Sequence, residues 1–223
     1  MCGRYANFLT EQELLDSFAI ATIADDARLL PPNFNLGPMQ QGLIIRQSPD
    51  ARVAEAARWG LVPTWAKDPG IGSKMFNARV ETIAEKPSFK NAFAKRRCIV
   101  PANGYYEWQK LGDEKVPQFI HTVDGSPLAF AGLVEVWRAA KEDPWLISFS
   151  IVTTASRGEM NDIHDRQPAM LDTDNVEVWL DPTSHPDDLF AAVAAPTPEL
   201  TWHAVDKRVG NVRNNDESLT EPA

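Results

Sequence analysis

Gln118-Phe119-Ile120-His121-Thr122-Val123-Asp124-Gly125-Ser126-Pro127-Leu128-Ala129-Phe130-Ala131 reads as a strand, a turn and a second strand. Gln118-Phe119-Ile120 and Leu128–Ala131 have strand composition, and Asp124-Gly125 supplies a turn in which glycine takes a positive φ at no steric cost. Upstream, Tyr105-Tyr106-Glu107-Trp108 repeats that composition. Cys98-Ile99-Val100 reads as a strand that Pro101 ends or bends, because proline brings no N–H to a ladder. Trp145 through Thr154, Leu43-Ile44-Ile45, the neighbourhood of Trp59 and Thr201 to Val205 add further strands.

Helices are fewer and short. Thr10-Glu11-Gln12-Glu13 has capping-box spacing ahead of Leu14, Leu15 and Phe18, and Ser88–Lys95, Asp174–Leu180 and Pro186–Ala194 are compatible with helices. Pro31, Pro32 and Pro38 surround Asn33-Phe34-Asn35-Leu36-Gly37, which predicts an ordered loop outside any ladder. No repeat or linker divides the chain. The expectation is a single α+β domain over residues 1–223, with mixed or antiparallel sheets forming a barrel-like core, short peripheral helices and a flexible tail at 214–223.

A chain of 223 residues buries one sizeable core. No uncharged apolar stretch reaches spanning length, and no apolar region follows Arg4 as a signal peptide requires, so a cytoplasmic protein without a membrane partner is expected. Cys2 and Cys98 have no disulfide or zinc spacing, and His121, His164, His185 and His203 are scattered, so neither a metal nor a cofactor is expected. A net charge of −9 opposes indiscriminate nucleic-acid coating. Its distribution is uneven: Arg52–Lys115 holds twelve Lys or Arg against seven Asp or Glu, leaving +5 there and −14 elsewhere. Lys86, Lys90 and Lys95-Arg96-Arg97 form either a phosphate-facing patch or an ordinary solvated face.

The second residue carries the sharpest chemistry. Removal of Met1 would leave Cys2 with an α-amine and a thiol on one residue. The amine forms a Schiff base with an aldehyde, and the thiol then closes a five-membered thiazolidine on the same carbon. An ordinary α-amine has a pKa of about 7.7–8.0, which leaves a neutral fraction near neutrality. A Met-Cys start is weak evidence alone, so the polar residues set among apolar ones matter. Glu107 is either a half-exposed strand residue paired with lysine or a buried acid that moves protons. His164, within Asn161–Pro168, either braces a turn or shuttles a proton. Asn77 either satisfies a turn or orients a sugar oxygen, with Arg79 on a phosphate.

Met1-Cys2-Gly3-Arg4-Tyr5, Phe34–Pro38, Trp59–Pro63, Asn77–Glu81, Gly104–Trp108 and Ile163–Pro168 together resemble, in order and across nearly the whole chain to Val209–Val212, the SRAP family. The resemblance implies covalent capture of abasic sites in single-stranded DNA, including single-strand/double-strand junctions. Cys2 would be the nucleophile, Asn77 the group that positions the opened sugar, Glu107 the active-site acid, and His164 the proton-transfer group in reversal. An associated lyase activity is also implied. Arg4, Pro38, Trp65 and Arg79 are carried over as DNA-facing residues of a DNA-associated monomer. Two features depart from the family pattern: the acidic net charge, and a single tryptophan in Pro63-Thr64-Trp65-Ala66-Lys67. The competing functions are a cysteine autopeptidase or amidohydrolase using Cys2 with His164, and a noncatalytic single-stranded-DNA binding module.

Overall fold

The strands of the barrel read as unbroken apolar runs because both of their faces are covered. Ile44, Trp59, Cys98, Val100, Phe130, Phe149 and Ile151 pack into one cluster, while the alternate residues Leu43, Ile45, Ile99, Ala131, Leu133 and Val152 pack into another beneath the helices. The computed structural model describes residues 2–196 and 198–223.

In chain order the strands are β1 (Tyr5–Asn7), β2 (Ile20–Ile23), β3 (Asn33–Leu36), β4 (Gln41–Gln47), β5 (Arg52–Trp59), β6 (Asn77–Arg79) and β7 (Arg97–Ala102). They continue as β8 (Gly104–Leu111), β9 (Glu114–Thr122), β10 (Leu128–Trp137), β11 (Leu146–Ala155), β12 (Arg166–Pro168) and β13 (Leu200–Ala204). The helices are α1 (Glu11–Phe18), α2 (Asp25–Arg28), α3 (Lys90–Lys95), α4 (Thr173–Leu180) and α5 (Pro186–Ala194).

The sheet ordered β11-β10-β7-β4-β5 closes on itself, because β5 also pairs in parallel with β11 through Ser148↔Arg58 and Phe149↔Trp59. Closure removes the exposed edges that an open sheet would present. The five-stranded sheet β13-β9-β8-β1-β3 lies against it and contributes Tyr5, Tyr105 and Ile120 to the same cluster as Trp59 and Phe130. The fold is thus α+β with a closed mixed barrel and short peripheral helices, as the strand composition implied.

Local signals hold where they are self-contained. The Thr10 side chain caps the Glu13 amide, and the Glu13 carboxylate accepts from the Thr10 amide at 2.7 Å, completing the capping box of α1. Proline signals fare less well. β7 runs through Pro101 because the Ala129 carbonyl opposite it turns outward to accept from the Leu171 amide. Pro101 therefore sits in a non-hydrogen-bonded pair, past the single point where β4 meets β7. Likewise Asn33–Leu36, expected as a loop, is the edge strand β3 paired with β1. The prolines flank it and none lies within it. Asp124-Gly125 does turn the chain, with Gly125 at φ +75°, but it passes the chain from β9 in one sheet to β10 in the other.

Within the basic cluster, Arg97 is buried and donates to the carbonyls of Phe93, Trp179 and Asp181, tying α3 to α4, and Arg96 pairs with the buried Glu135, whereas Lys86, Lys90 and Lys95 are exposed. Within residues 214–223, expected as a flexible tail, Leu219 is fully buried and its carbonyl accepts from the Tyr106 hydroxyl.

Asn35 holds this C-terminal segment. Its Nδ2 donates to the carbonyls of Val209, Asn211 and Asn214, and its Oδ1 accepts from Arg4 at 2.7 Å. Asn35→Ala orphans a buried guanidinium contact and several carbonyls at once. The expected loss is about 2–4 kcal/mol in denaturant melts, with faster amide exchange over residues 206–223. A loss below about 0.5 kcal/mol, the range of ordinary surface changes, would contradict this reading.

Candidate active site

β11 positions two of the expected site residues from opposite edges. On one edge, β6 pairs in parallel with it through Ile151↔Asn77, and the Phe76 carbonyl just before Asn77 accepts from both the Ile151 amide and the Trp59 indole. On the other edge, β12 pairs through Ala155↔Arg166 and returns the chain just after His164. Beyond β5, Gly60 adopts φ +136°, and a Cβ there would lie 2.7 Å from the Gly72 carbonyl. Only glycine lets the segments flanking the Trp65 loop approach so closely.

β8 supplies the third residue. Glu107 is 3% exposed, on the same strand face as Tyr105, and burial pushes its carboxyl up to about 7, with the negative charge of Asp165 acting in the same direction. Gln109, two residues on, donates to the Asp162 carbonyl and so ties β8 to the turn that leads into His164.

Cys2 is fully buried. Asn77 Nδ2 donates to its carbonyl at 2.6 Å, and its Sγ lies 3.9 Å from the Arg4 carbonyl. Burial pushes the thiol well above its ordinary range, and Glu107 adds to that shift. The influence of Glu107 on the thiol places carboxyl and sulfur in one electrostatic neighbourhood. Burial also lowers the pKa of His164. Its Nδ1 lies 3.0 Å from the Arg166 amide and 2.9 Å from the Asp165 carboxylate, which fix the orientation of the ring. Cys2 and Asn77 are thus in direct contact, Glu107 acts on the Cys2 thiol, and His164 stands on the adjoining turn.

The four residues expected to face DNA divide. Trp65 is 54% exposed, in a shallow depression with Lys67 and Lys74, and Arg79 is exposed one strand-residue pair beyond Asn77. Pro38 is half-buried and precedes Met39, which is held at φ +73° with its side chain exposed. Arg4 is half-buried; it donates to Asn35 and to the Val209 carbonyl and lies 5.9 Å from the Trp108 ring centroid. Among the described residues, no cluster of three or more His, Cys, Asp or Glu side chains suits a metal ion, and no helix is long and apolar enough to cross a membrane. Met1 lies outside the described residues.

Residues 1–212 match the family model described as SOS response associated peptidase (SRAP). The chain belongs to the SRAP family. The abasic site processing protein YoqW of Bacillus subtilis (strain 168) is 36% identical over 225 residues, covering 99% of each chain. The abasic site processing protein YedK of Escherichia coli (strain K12) is 31% identical over 234 residues, covering 100% of each. A crystal structure of a Bacteroides thetaiotaomicron protein superposes over the full length of both chains with a TM-score of 0.88 at 24% identity, so the two share one fold.

Three residues of this SRAP site escaped the sequence reading. Tyr105 carries a buried hydroxyl without a hydrogen-bond partner among the described residues, although its strand position two residues before Glu107 already placed both on one face. Arg166 donates to Glu81 and to the Thr153 carbonyl at 2.6 Å, bracing β12 against β11. The left-handed backbone of Met39 has no signal in the sequence, since glycine or asparagine ordinarily marks such a position.

The raised pKa of Glu107 fixes a pH dependence of stability. An unfolded glutamate ionises near 4.5 and the folded one near 7, so its contribution is fully present below 4.5 and is lost as pH rises through 7. Glutamine mimics the protonated acid at every pH. Glu107→Gln is expected to match the wild type at pH 4 and to exceed it at pH 8 by an amount on the order of 3 kcal/mol. Parallel melting curves for the two proteins across that range would refute the buried-acid assignment.

Proposed function

We propose that this protein captures ring-opened abasic sites in single-stranded DNA, including those at junctions with duplex, as a covalent thiazolidine on Cys2. The observation that carries the reading is the enclosure of Cys2 beside Asn77 and a Glu107 poised near neutrality, in a chain of the SRAP family. Relatives matched along their whole length are named abasic site processing proteins.

With Met1 removed, the neutral α-amine of Cys2 adds to the C1′ aldehyde of the opened sugar. The resulting carbinolamine loses its hydroxyl as water to give an iminium. The thiol then adds to the same carbon: the S–C bond forms, the C=N π pair returns to nitrogen, and the S–H proton passes to the Glu107 carboxylate. A carboxyl with a pKa of about 7 is nearly half ionised at neutrality, so it donates a proton to the departing hydroxyl and accepts one from the thiol. Asn77 holds the Cys2 carbonyl and so fixes the rotation of the nucleophile. His164, neutral in its ordinary state, serves the slower reactions. It moves protons during reversal of the adduct, or takes the C2′ proton of the iminium while the 3′ phosphate leaves in β-elimination.

Arg79 contacts phosphate, and Trp65 and Pro38 stack beside the displaced bases. Arg4 orients the segment that bears Cys2 through Asn35 and Val209 and offers its remaining donors to the DNA. A thiolate–imidazolium pair of the peptidase kind is opposed by burial, which favours the neutral form of both Cys2 and His164.

Mature protein mixed with a single strand bearing one abasic site should give an intact mass equal to protein plus DNA minus one water, mapping to Cys2. Mature Cys2→Ser, and a form that retains Met1, should bind the strand yet give no heat-stable adduct. A stable adduct in all three forms defeats the mechanism.

Initial association should weaken with salt, while the finished adduct resists it, because screening acts on phosphate contacts and not on covalent bonds. Arg79→Gln should lower the salt slope by about one counterion. An unchanged slope removes Arg79 from the phosphate path.

A further inference from the structure

Tyr105 is fully buried, and among the described residues its hydroxyl has no hydrogen-bond partner. Leaving a hydroxyl dry and unpaired costs about 1–3 kcal/mol, and phenylalanine would fill the same space without that cost. The Tyr105 ring meets Phe130 edge-on at 5.9 Å and shares a packed cluster with Tyr5, Ile120, Met160 and Ile163. The hydroxyl adds nothing to this packing, so its value lies in a state other than the resting one.

Cys2 belongs to the same packed cluster as Tyr105. The Arg4 carbonyl accepts the Tyr106 amide at 2.9 Å, and the Cys2 sulfur lies 3.9 Å from that same oxygen. Sulfur and the Tyr105–Tyr106 peptide thus share one acceptor. Tyr105 pairs directly across strands with Tyr5 and sits on the same face of β8 as Glu107, while Tyr106 turns to the opposite side and bonds the Phe34 carbonyl. Charge on Cys2 and on Glu107 acts directly on the Tyr105 phenol, after burial, in raising its proton affinity. A phenol held so firmly protonated keeps its O–H available to donate.

We propose that the Tyr105 hydroxyl donates a hydrogen bond to the Cys2 sulfur as negative charge develops on it during thiazolidine closure, and again as the S–C bond breaks in reversal. The proposal rests on the capture chemistry above and assigns the residue that makes its second step possible. Burial disfavours the thiolate, and the proton leaving sulfur goes to Glu107, not to Tyr105. The phenol keeps its own proton and supplies a dipole where charge appears. The preceding step, in which the α-amine attacks the aldehyde and water leaves, creates no charge on sulfur and does not need it.

Tyr105→Phe separates these steps. The variant should melt at or above the wild-type temperature and associate with single-stranded DNA unchanged. Trapping with borohydride, which reduces the iminium whatever the sulfur does, should proceed at the wild-type rate. Formation of the heat-stable adduct in single turnover without reductant should be slowed 10- to 100-fold, with its pH profile displaced to higher pH because sulfur then gives up its proton to Glu107 less readily. Wild-type closure rate and profile in a folded Tyr105→Phe protein overturn the proposal, as does equal slowing of borohydride trapping, which marks a packing defect upstream of sulfur. If the wild type itself yields a borohydride-trapped species but no heat-stable adduct, the capture reading fails first; the Tyr105 comparison is drawn only between proteins that form the adduct.

Discussion

The parallel pairing of β5 with β11 is the contact on which the other arrangements depend. Two residue pairs, Ser148↔Arg58 and Phe149↔Trp59, convert an open sheet into a ring. The Gly60 amide continues the seam onto the Phe149 carbonyl, and the Val62 amide onto the Ser148 hydroxyl. Once β5 is fixed there, the chain leaving it must fold back over Gly60 and Gly72, and β6 falls into line on the next residues of β11. Asn77 is thereby delivered to the Cys2 carbonyl, and Arg166, on the opposite edge of β11, fixes the turn that bears His164.

Burial is the common cause of the unusual proton affinities at the site. The same apolar enclosure raises Glu107 to about 7, raises the Cys2 thiol and lowers His164. All three changes favour neutral groups. That suits a reaction whose charged intermediates are brief and whose protons pass between neighbours, and it differs from the exposed electropositive setting that keeps a thiolate ready. A neutral, enclosed cysteine is also shielded from adventitious chemistry until an aldehyde is delivered to its amine.

The net charge of −9 confines positive surface to a few places. Part of the basic segment noticed in the sequence is structural, since Arg96 is paired with Glu135 and Arg97 is buried against helix carbonyls. Trp65, Lys67, Lys74 and Arg79 remain at the surface on the segments that lead to and from Asn77. A small, localised set of contacts fits recognition of a lesion better than coating of intact strands.

Much of this was legible in the sequence where the signal was local. Thr10 and Glu13 cap α1 because the capping box is complete within four residues, and the apolar runs form strands because both their faces are buried. The aminothiol of Cys2 follows from residue order alone once Met1 is gone. Sequence could not say that Pro101 lies inside a strand, that Asp124-Gly125 joins two different sheets, or that the carbonyls of Asn214 and Leu219 accept from Asn35 and Tyr106. Those outcomes depend on which strand lies opposite and on where a hydrogen-bond partner has already been taken. Sequence likewise left Glu107 poised between an ordinary surface acid and a buried one. Only the closing of β8 over the barrel, with Asp165 brought near from far along the chain, moved its proton affinity to neutrality, because desolvation belongs to the enclosure and not to the residue.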